Sequence, residues 1–358
     1  MDSYPRTLDY RVLNLRGKEW QRSCKYKRDR IVEECFLYWR KRGFPYYNLS
    51  HQEISVEYSR VVSATKENIL LGDEIRVSMA GVRLANHFHP QMWSVKVGSA
   101  RAALECFNDD LKLRKLIARA LNVWPDRYSV NESNVRQMLK TFSHTSCISN
   151  FRPTAAKAIY ELYSRDGDTI LDFSAGYGGR LLGCLPLERT YLGVDPCALQ
   201  VNGLRDMVRK LASVAKLKSR VRLKRACAED YLPKIASGSV SLVFSSPPYF
   251  DNERYSDEPS QSYLKYPVYK EWLRSFLQPV ISHCARVLRP GGHMVINVSD
   301  VNGYKLTDDL MKLAQEKFSL VGTLRLRLIN KPFLRRLEGK AYKHEPVFVF
   351  KKASRRHG

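Results

Sequence analysis

The stretch Thr169-Ile-Leu-Asp172-Phe-Ser-Ala-Gly176-Tyr-Gly178-Gly179-Arg180 decides the fold. A short apolar run ends in an acid, passes through a glycine-rich turn and enters an apolar helical stretch from Leu181. A strand that runs through such a turn into a helix brings backbone amides close to a nucleotide-like ligand. Further short apolar runs follow at 191–195, 221–223, 240–244, 293–298 and 346–350, separated by helical stretches. This alternation predicts a parallel sheet flanked by helices, an α/β doubly wound domain that binds its ligands at the carboxyl ends of the strands.

Upstream of residue 150 the pattern is mainly helical. Residues 30–40 carry Ile31, Val32, Cys35, Phe36 and Trp39 near the i, i+3, i+4 spacing, and 111–121 and 135–142 read the same way. The expected organisation is a helical N-terminal region over 1–150, an α/β domain over 151–352 and a basic tail over 353–358. The chain of 358 residues is 44% hydrophobic, enough for two cores. Eight cysteines without a CxxC pair fit reduced thiols inside a cell rather than a zinc site or a disulfide framework. His87 and His89 have no companion ligands at metal spacing and read as loop or surface histidines, so no metal is expected. No apolar run approaches the roughly 18 residues of a membrane span, and the N-terminus lacks the order of a secretory signal. A cytoplasmic protein is expected.

The glycine turn does not fit a dinucleotide. Counting from Gly176, the third glycine of a GxGxxG fingerprint falls on Leu181. Asp172 suits a ligand with a cationic group nearby rather than a pyrophosphate. Asp195, 19 positions after Gly176, can accept both hydroxyls of a ribose, and Glu229 and Asp230 follow the next run, placed to reach an adenine edge. Asp172, Ser174, Ala175, Gly176, Gly178, Asp195, Glu229 and Asp230 in this order give the layout for S-adenosylmethionine.

After the fourth run stands Ser246-Pro247-Pro248-Tyr249-Phe250. Two prolines remove two donors and hold the backbone extended, leaving carbonyls with no amides beside them. This suits an NH2 substrate. The amine of a nucleobase is a weak nucleophile because its lone pair is delocalised. Hydrogen bonds accepted by Ser246 and the Pro247 carbonyl would draw the nitrogen towards tetrahedral geometry, and Tyr249 would stack on the base. A base inside a duplex would have to be flipped out to reach such a pocket.

These motifs resemble the amino-methyltransferases of nucleic acids, which move methyl from S-adenosylmethionine to N4 of cytosine or N6 of adenine. The resemblance covers about 150–352 and implies a Rossmann-like methyltransferase domain. Ser246-Pro-Pro-Tyr249 is similar to the family's catalytic motif in the Ser form, commoner in the N4-cytosine members. The stretch from Asp172 to Gly178 is similar to its first cofactor motif, with Ser-Ala in place of the more usual Pro-Phe. Phe151-Arg152-Pro153-Thr154 looks like the segment that binds the methionine end of the cofactor. The stretches from Asp251 to Ser262 and from Arg289 to Asn297, and the run His344-Glu-Pro-Val-Phe-Val-Phe-Lys351, are similar to phage and bacterial DNA methylases. Methionine-binding segment, first motif and then Ser-Pro-Pro-Tyr is not the permuted order of many N4-cytosine enzymes.

Lys and Arg number 60 against 36 Asp and Glu, a formal +24, which suits a polyanion. Lys331, Arg335, Arg336 and Lys340 are expected to neutralise phosphates, and Phe250 to touch the nucleic acid. Within the helical region, Asn134 and Gln137, with Arg136 beside them, are expected to contact bases. The aromatic run Phe44-Pro-Tyr46-Tyr47 reads as packing before stacking. The leading expectation is a site-specific DNA methyltransferase, N4-cytosine ahead of N6-adenine, working in a bacterium or phage-infected host, with a restriction nuclease as a candidate companion that the sequence does not itself reveal. An RNA base methyltransferase is its rival, DNA being preferred because no known RNA-binding module stands in the N-terminal region. A protein-glutamine methyltransferase would leave the charge without a purpose. A nucleic-acid-binding scaffold without activity would not need the full motif set.

Overall fold

The computed structural model describes residues 17–123, 130–142, 148–301, 303–328 and 342–353. The chain forms two compact units, one from residues 1–47 and 91–148 and the other from 48–90 and 149–358. The division differs from a boundary at 150, because 48–90 join the α/β unit. Val61, Ile69, Ile75 and Leu84 lie in the same buried cluster as Ile159, Leu182 and Tyr191, so this stretch completes one apolar layer of the sheet.

Seven strands of four or more residues build the sheet: β1 (Thr169–Asp172), β2 (Thr190–Asp195), β3 (Arg220–Arg225), β4 (Val240–Ser245), β5 (Leu288–Asn297), β6 (Ser319–Arg327) and β7 (His344–Lys351). Their spatial order is 3-2-1-4-5-7-6, with the short pair Leu70–Leu71 and Glu74–Ile75 continuing past β6. Neighbours from β3 to β5 are parallel, whereas β7 runs antiparallel to both β5 and β6. The fold is therefore the expected α/β doubly wound one, with a mixed edge.

Residue alternation explains the two faces. Ile170, Leu242, Phe244, Val295 and Val347 enter one core, while Leu171, Val243, Met294 and Ile296 enter the other. Every residue of β4 is buried, as a central strand covered on both faces requires. The chain passes from β1 outward to β2 and β3, then returns to β4 on the other side of β1. That reversal opens a crevice at the carboxyl ends of β1 and β4, where open α/β sheets bind ligands. Because β7 is antiparallel, its first residues also reach this edge: Val347 pairs with Asn297, the last residue of β5.

The other unit is helical, with Gly17–Arg22, Lys25–Arg42, Ala103–Asn108, Asp110–Val123 and Glu132–Phe142. Trp39 is fully buried and its indole N–H donates to the Val130 carbonyl at 3.1 Å. Phe44 packs on Tyr46, Trp93 and Phe107, so that aromatic run is packing. The seven cysteines among the described residues are unpaired. No helix among the described residues is long and apolar enough to cross a membrane.

Candidate active site

The turn after β1 is held by backbone conformation and close approach. Gly176 and Gly178 have φ of 56° and 79°, which a side chain would strain. A Cβ on Gly179 would lie 1.8 Å from the Phe151 carbonyl oxygen. This is the contact that brings the 150–154 segment against the turn, and Asn150 secures it. Its Oδ1 accepts from Gly179 N–H at 3.0 Å and its Nδ2 donates to the Tyr177 carbonyl at 2.6 Å. Ala175 N–H donates to the Val194 carbonyl at 2.9 Å, tying the turn to β2.

Phe151 packs edge-on against Phe244, and Pro153 opens the helix Pro153–Tyr163, where a missing N–H costs nothing. Arg152 Nη2 and Thr154 Oγ1 are buried with no hydrogen-bond partner among the described residues. Burial lowers the Arg152 guanidinium to about 10, against the pull of Glu345. An unmet buried donor costs about 1–3 kcal/mol, so these two atoms fit a ligand carboxylate, such as that of a methionine moiety.

Asp172 corrects one expectation. Its carboxylate is fully buried and committed within the protein. Arg180 Nε donates to it at 2.7 Å, Tyr191 OH at 2.7 Å and Ser245 Oγ at 2.8 Å. It anchors the turn instead of meeting a ligand cation. Ser174 shares the anchor, its N–H facing Ser245 Oγ at 3.1 Å and its carbonyl accepting from Arg180. Asp195 ends β2 and accepts Gly176 N–H at 2.9 Å and Cys197 N–H at 3.0 Å. Burial pushes its carboxyl up to about 6, although both amides favour the charge. One lone pair on each oxygen remains for a hydroxyl.

Glu229 and Asp230 give a second correction. Lys265 Nζ bridges them at 2.9 and 3.0 Å, and the Tyr266 hydroxyl also faces Glu229 at 3.4 Å. Their oxygens gather within ligand distance of the Cys227 thiol, but the ammonium neutralises the pair. The bridge leaves one oxygen of each carboxylate uncommitted and offsets the charge with which they would meet an adenine edge.

Across the crevice, Ser246 follows β4. Its hydroxyl donates to the Asn297 carbonyl at 2.9 Å; with that proton committed, its lone pairs can accept from an incoming N–H. Asn297 Nδ2 in turn donates to the Pro346 carbonyl at 3.1 Å. Pro247 is buried and Pro248 half-buried. Tyr249 OH donates to Glu345 Oε1 at 2.8 Å, which also accepts Ser299 Oγ at 2.8 Å. Burial, with Glu345 next, raises the Tyr249 phenol well above its ordinary value, so it stays protonated. Glu345 carries no motif role in the sequence reading; the signal was its place at the start of the closing strand, which only the antiparallel pairing brings here.

Phe250 is a third correction. It is 2% exposed, with φ of 54°, and its ring packs against Tyr269, Trp272 and Tyr304. It buttresses the Ser-Pro-Pro-Tyr loop from inside and is too buried to touch nucleic acid. The strained left-handed backbone is held by this aromatic cluster.

The remaining expectations are distributed. Arg136 is an interior anchor, donating to the Pro45 carbonyl at 2.7 Å over the Tyr47 ring, so it is not a base reader. Gln137 donates to Thr141 at 3.1 Å on the same helix, and Asn134 N–H is capped by Asn131 Oδ1 at 2.9 Å. Lys331, Arg335, Arg336 and Lys340 lie outside the described residues. His89 is not a surface histidine: it is fully buried, its Nδ1 faces the Ala85 carbonyl at 2.9 Å, and burial lowers it to about 4.

With this geometry in view, residues 240–357 match the family of N6/N4 methyltransferases described as DNA methylase. The matched segment, about one third of the chain, holds β4 to β7 and the Ser-Pro-Pro-Tyr loop. Among solved structures, TrmN from Thermus thermophilus matches at 20% identity and a TM-score of 0.39, over 56% of this chain and 48% of its own. A SAM-dependent O-methyltransferase from Thermotoga maritima matches at 14% identity and a TM-score of 0.41, over 59% of this chain and 69% of its own. The chain thus spans about half the length of the first of these. No curated protein sequence matches the chain.

Proposed function

We propose that this chain transfers a methyl group from S-adenosylmethionine to the exocyclic amine of a DNA base, N4 of cytosine ahead of N6 of adenine. The observation that carries the reading is the state of Ser246. Its proton is given to Asn297, so it faces the crevice as an acceptor beside two prolines that offer no N–H. A site with acceptors alone is built for a donor such as an NH2 group.

The cofactor supplies an electrophilic methyl group. The chain's own residues do the rest. Arg152 and Thr154 hold the carboxylate of the methionine moiety, Asp195 takes the ribose hydroxyls, and Gly176 lets the backbone approach. Ser246 and the Pro247 carbonyl accept the two N–H bonds of the target amine and turn its lone pair towards the methyl. Tyr249, fixed through its hydroxyl by Glu345, presents its ring to the base. In the same reading the helical unit takes part in target recognition, with Asn134 and Gln137 near the bases and Lys331, Arg335, Arg336 and Lys340 on phosphates. The excess of 24 positive charges supports a polyanionic substrate.

The test is incubation with methyl-labelled cofactor and separate DNA and RNA pools, followed by nucleoside mass spectrometry. Label in N4-methyldeoxycytidine is the expected result. Label in N6-methyldeoxyadenosine would move the target base, label in RNA alone would move the substrate class, and no label in any nucleoside would refute the activity.

A further inference from the structure

The segment after the catalytic loop, residues 251–261, crosses from the acceptor side of the crevice to the carboxyl ends of β2 and β3. Glu258 fastens it there. Its Oε1 accepts from Ala198 N–H at 3.1 Å just past β2, and its Oε2 pairs with Arg225 at the end of β3 at 3.1 Å. The Cys227 thiol donates to the Ser260 carbonyl at 3.4 Å, and Tyr263 OH closes the segment on the Ser256 carbonyl at 2.7 Å.

Gln261 stands at the end of this strap, at the N-cap of the helix Ser262–Lys265. Its backbone is fixed, its carbonyl accepting from Leu264 and Lys265 N–H at 3.0 and 2.9 Å. The residue is only 5% exposed, yet Nε2 has no hydrogen-bond partner among the described residues, and neither has Ser260 Oγ. Lys265 on the same short helix neutralises Glu229 and Asp230, the acids that would otherwise face a base here. One amide and one hydroxyl are left unpartnered here, on the stretch whose Ser260 carbonyl meets the Cys227 thiol just past β3.

We infer that Ser260 and Gln261 are the adenine-binding residues of the cofactor site, a reading that rests on S-adenosylmethionine being the cofactor. Adenine shows an amine donor beside a ring-nitrogen acceptor, and a glutamine amide is the complementary pair. The Nε2 donor takes the ring nitrogen. The serine hydroxyl donates or accepts as the base requires.

The test is calorimetric titration of the full chain with S-adenosylhomocysteine and with its 1-deaza form, in which the ring nitrogen beside the amine is replaced by C–H. The intact chain is expected to prefer the adenosyl form by about tenfold or more, because the deaza form leaves the buried Nε2 donor without an acceptor in either orientation of the amide. Gln261→Ala, and the equal-sized Gln261→Glu, should shrink the preference to within about threefold, and Ser260→Ala should shrink it less. Arg152→Ala should weaken both ligands equally and keep the preference. Binding of both forms by the intact chain without preference overturns the inference whatever the variants do, as does an undiminished preference in either Gln261 variant that melts like the parent. Binding of neither form removes the cofactor reading itself.

Discussion

The two banks of the crevice differ in how far the protein completes itself. On the β1–β3 bank, Arg152 Nη2 and Thr154 Oγ1 are buried without partners, while Asp195 keeps lone pairs in reserve. On the β4–β5–β7 bank, the hydroxyls of Ser246 and Tyr249 and the amide of Asn297 all end on protein acceptors. The first bank needs a ligand to be whole, and the second is preorganised. Preorganisation is what a reaction with a weak nucleophile requires, since dipoles fixed in advance do not have to be reordered at the moment of transfer.

The division can be broken most severely at Arg180. Arg180→Ala leaves the Asp172 carboxylate buried without its cation, and such an orphan costs about 3–5 kcal/mol. Chemical denaturation should show this loss, and a loss under about 1 kcal/mol would mean that the pair does not anchor the cofactor bank. Next, Pro248→Ala and Tyr249→Ala should each cut methyl transfer by roughly 100-fold or more while leaving cofactor affinity within about threefold. A parallel loss of affinity would show that the two banks are not separate.

Asp195 sharpens the comparison through pH. Its folded pKa of about 6 stands above the roughly 3.9 of an unfolded Asp. The stability this lends is therefore complete below about pH 4 and lost as pH rises through about 6. Ribose hydroxyls need the ionised acceptor, so cofactor affinity should run the other way and strengthen from pH 5 to 7. Titrations across that range should give Asp195→Asn a flat profile and about tenfold weaker binding at neutral pH. The smallest effect is expected at Glu229. Glu229→Gln should leave cofactor affinity within about twofold, because Lys265 already holds that carboxylate, and a tenfold loss would restore it to the adenine site.

The legible parts of the sequence were those where chemistry and spacing coincide. The run from Thr169 to Arg180 could be read because a strand, two left-handed glycines and a helix leave a local trace, and Ser246 to Tyr249 because two prolines are costly anywhere else. The strand Ser319–Arg327 was missed because most of its residues are exposed and its arginines break the alternation. Arg325 and Arg327 are there to meet Asp73 and Glu74, partners some 250 positions away. Asp172 was found but misassigned, since nothing local reveals Arg180 folding back onto it. Glu229 and Asp230 were misassigned for the same reason, Lys265 lying 35 positions or more downstream. Spacing shows where charges stand in the chain, and it is silent on which of them have already been neutralised.

The antiparallel course of β7 has a consequence for how the two banks come into being. The cofactor turn is closed chiefly by residues 150–195, a nearly contiguous stretch, with Ser245 reaching Asp172 and Ser174 from 73 and 71 positions away. The bond that fixes Tyr249 spans 96 positions and waits for Glu345. Contacts of long sequence separation pay their loop entropy before they gain anything, and so form late. On the proposed function, the capacity to hold a methyl donor should form before the capacity to spend it, the second waiting for β7 to dock.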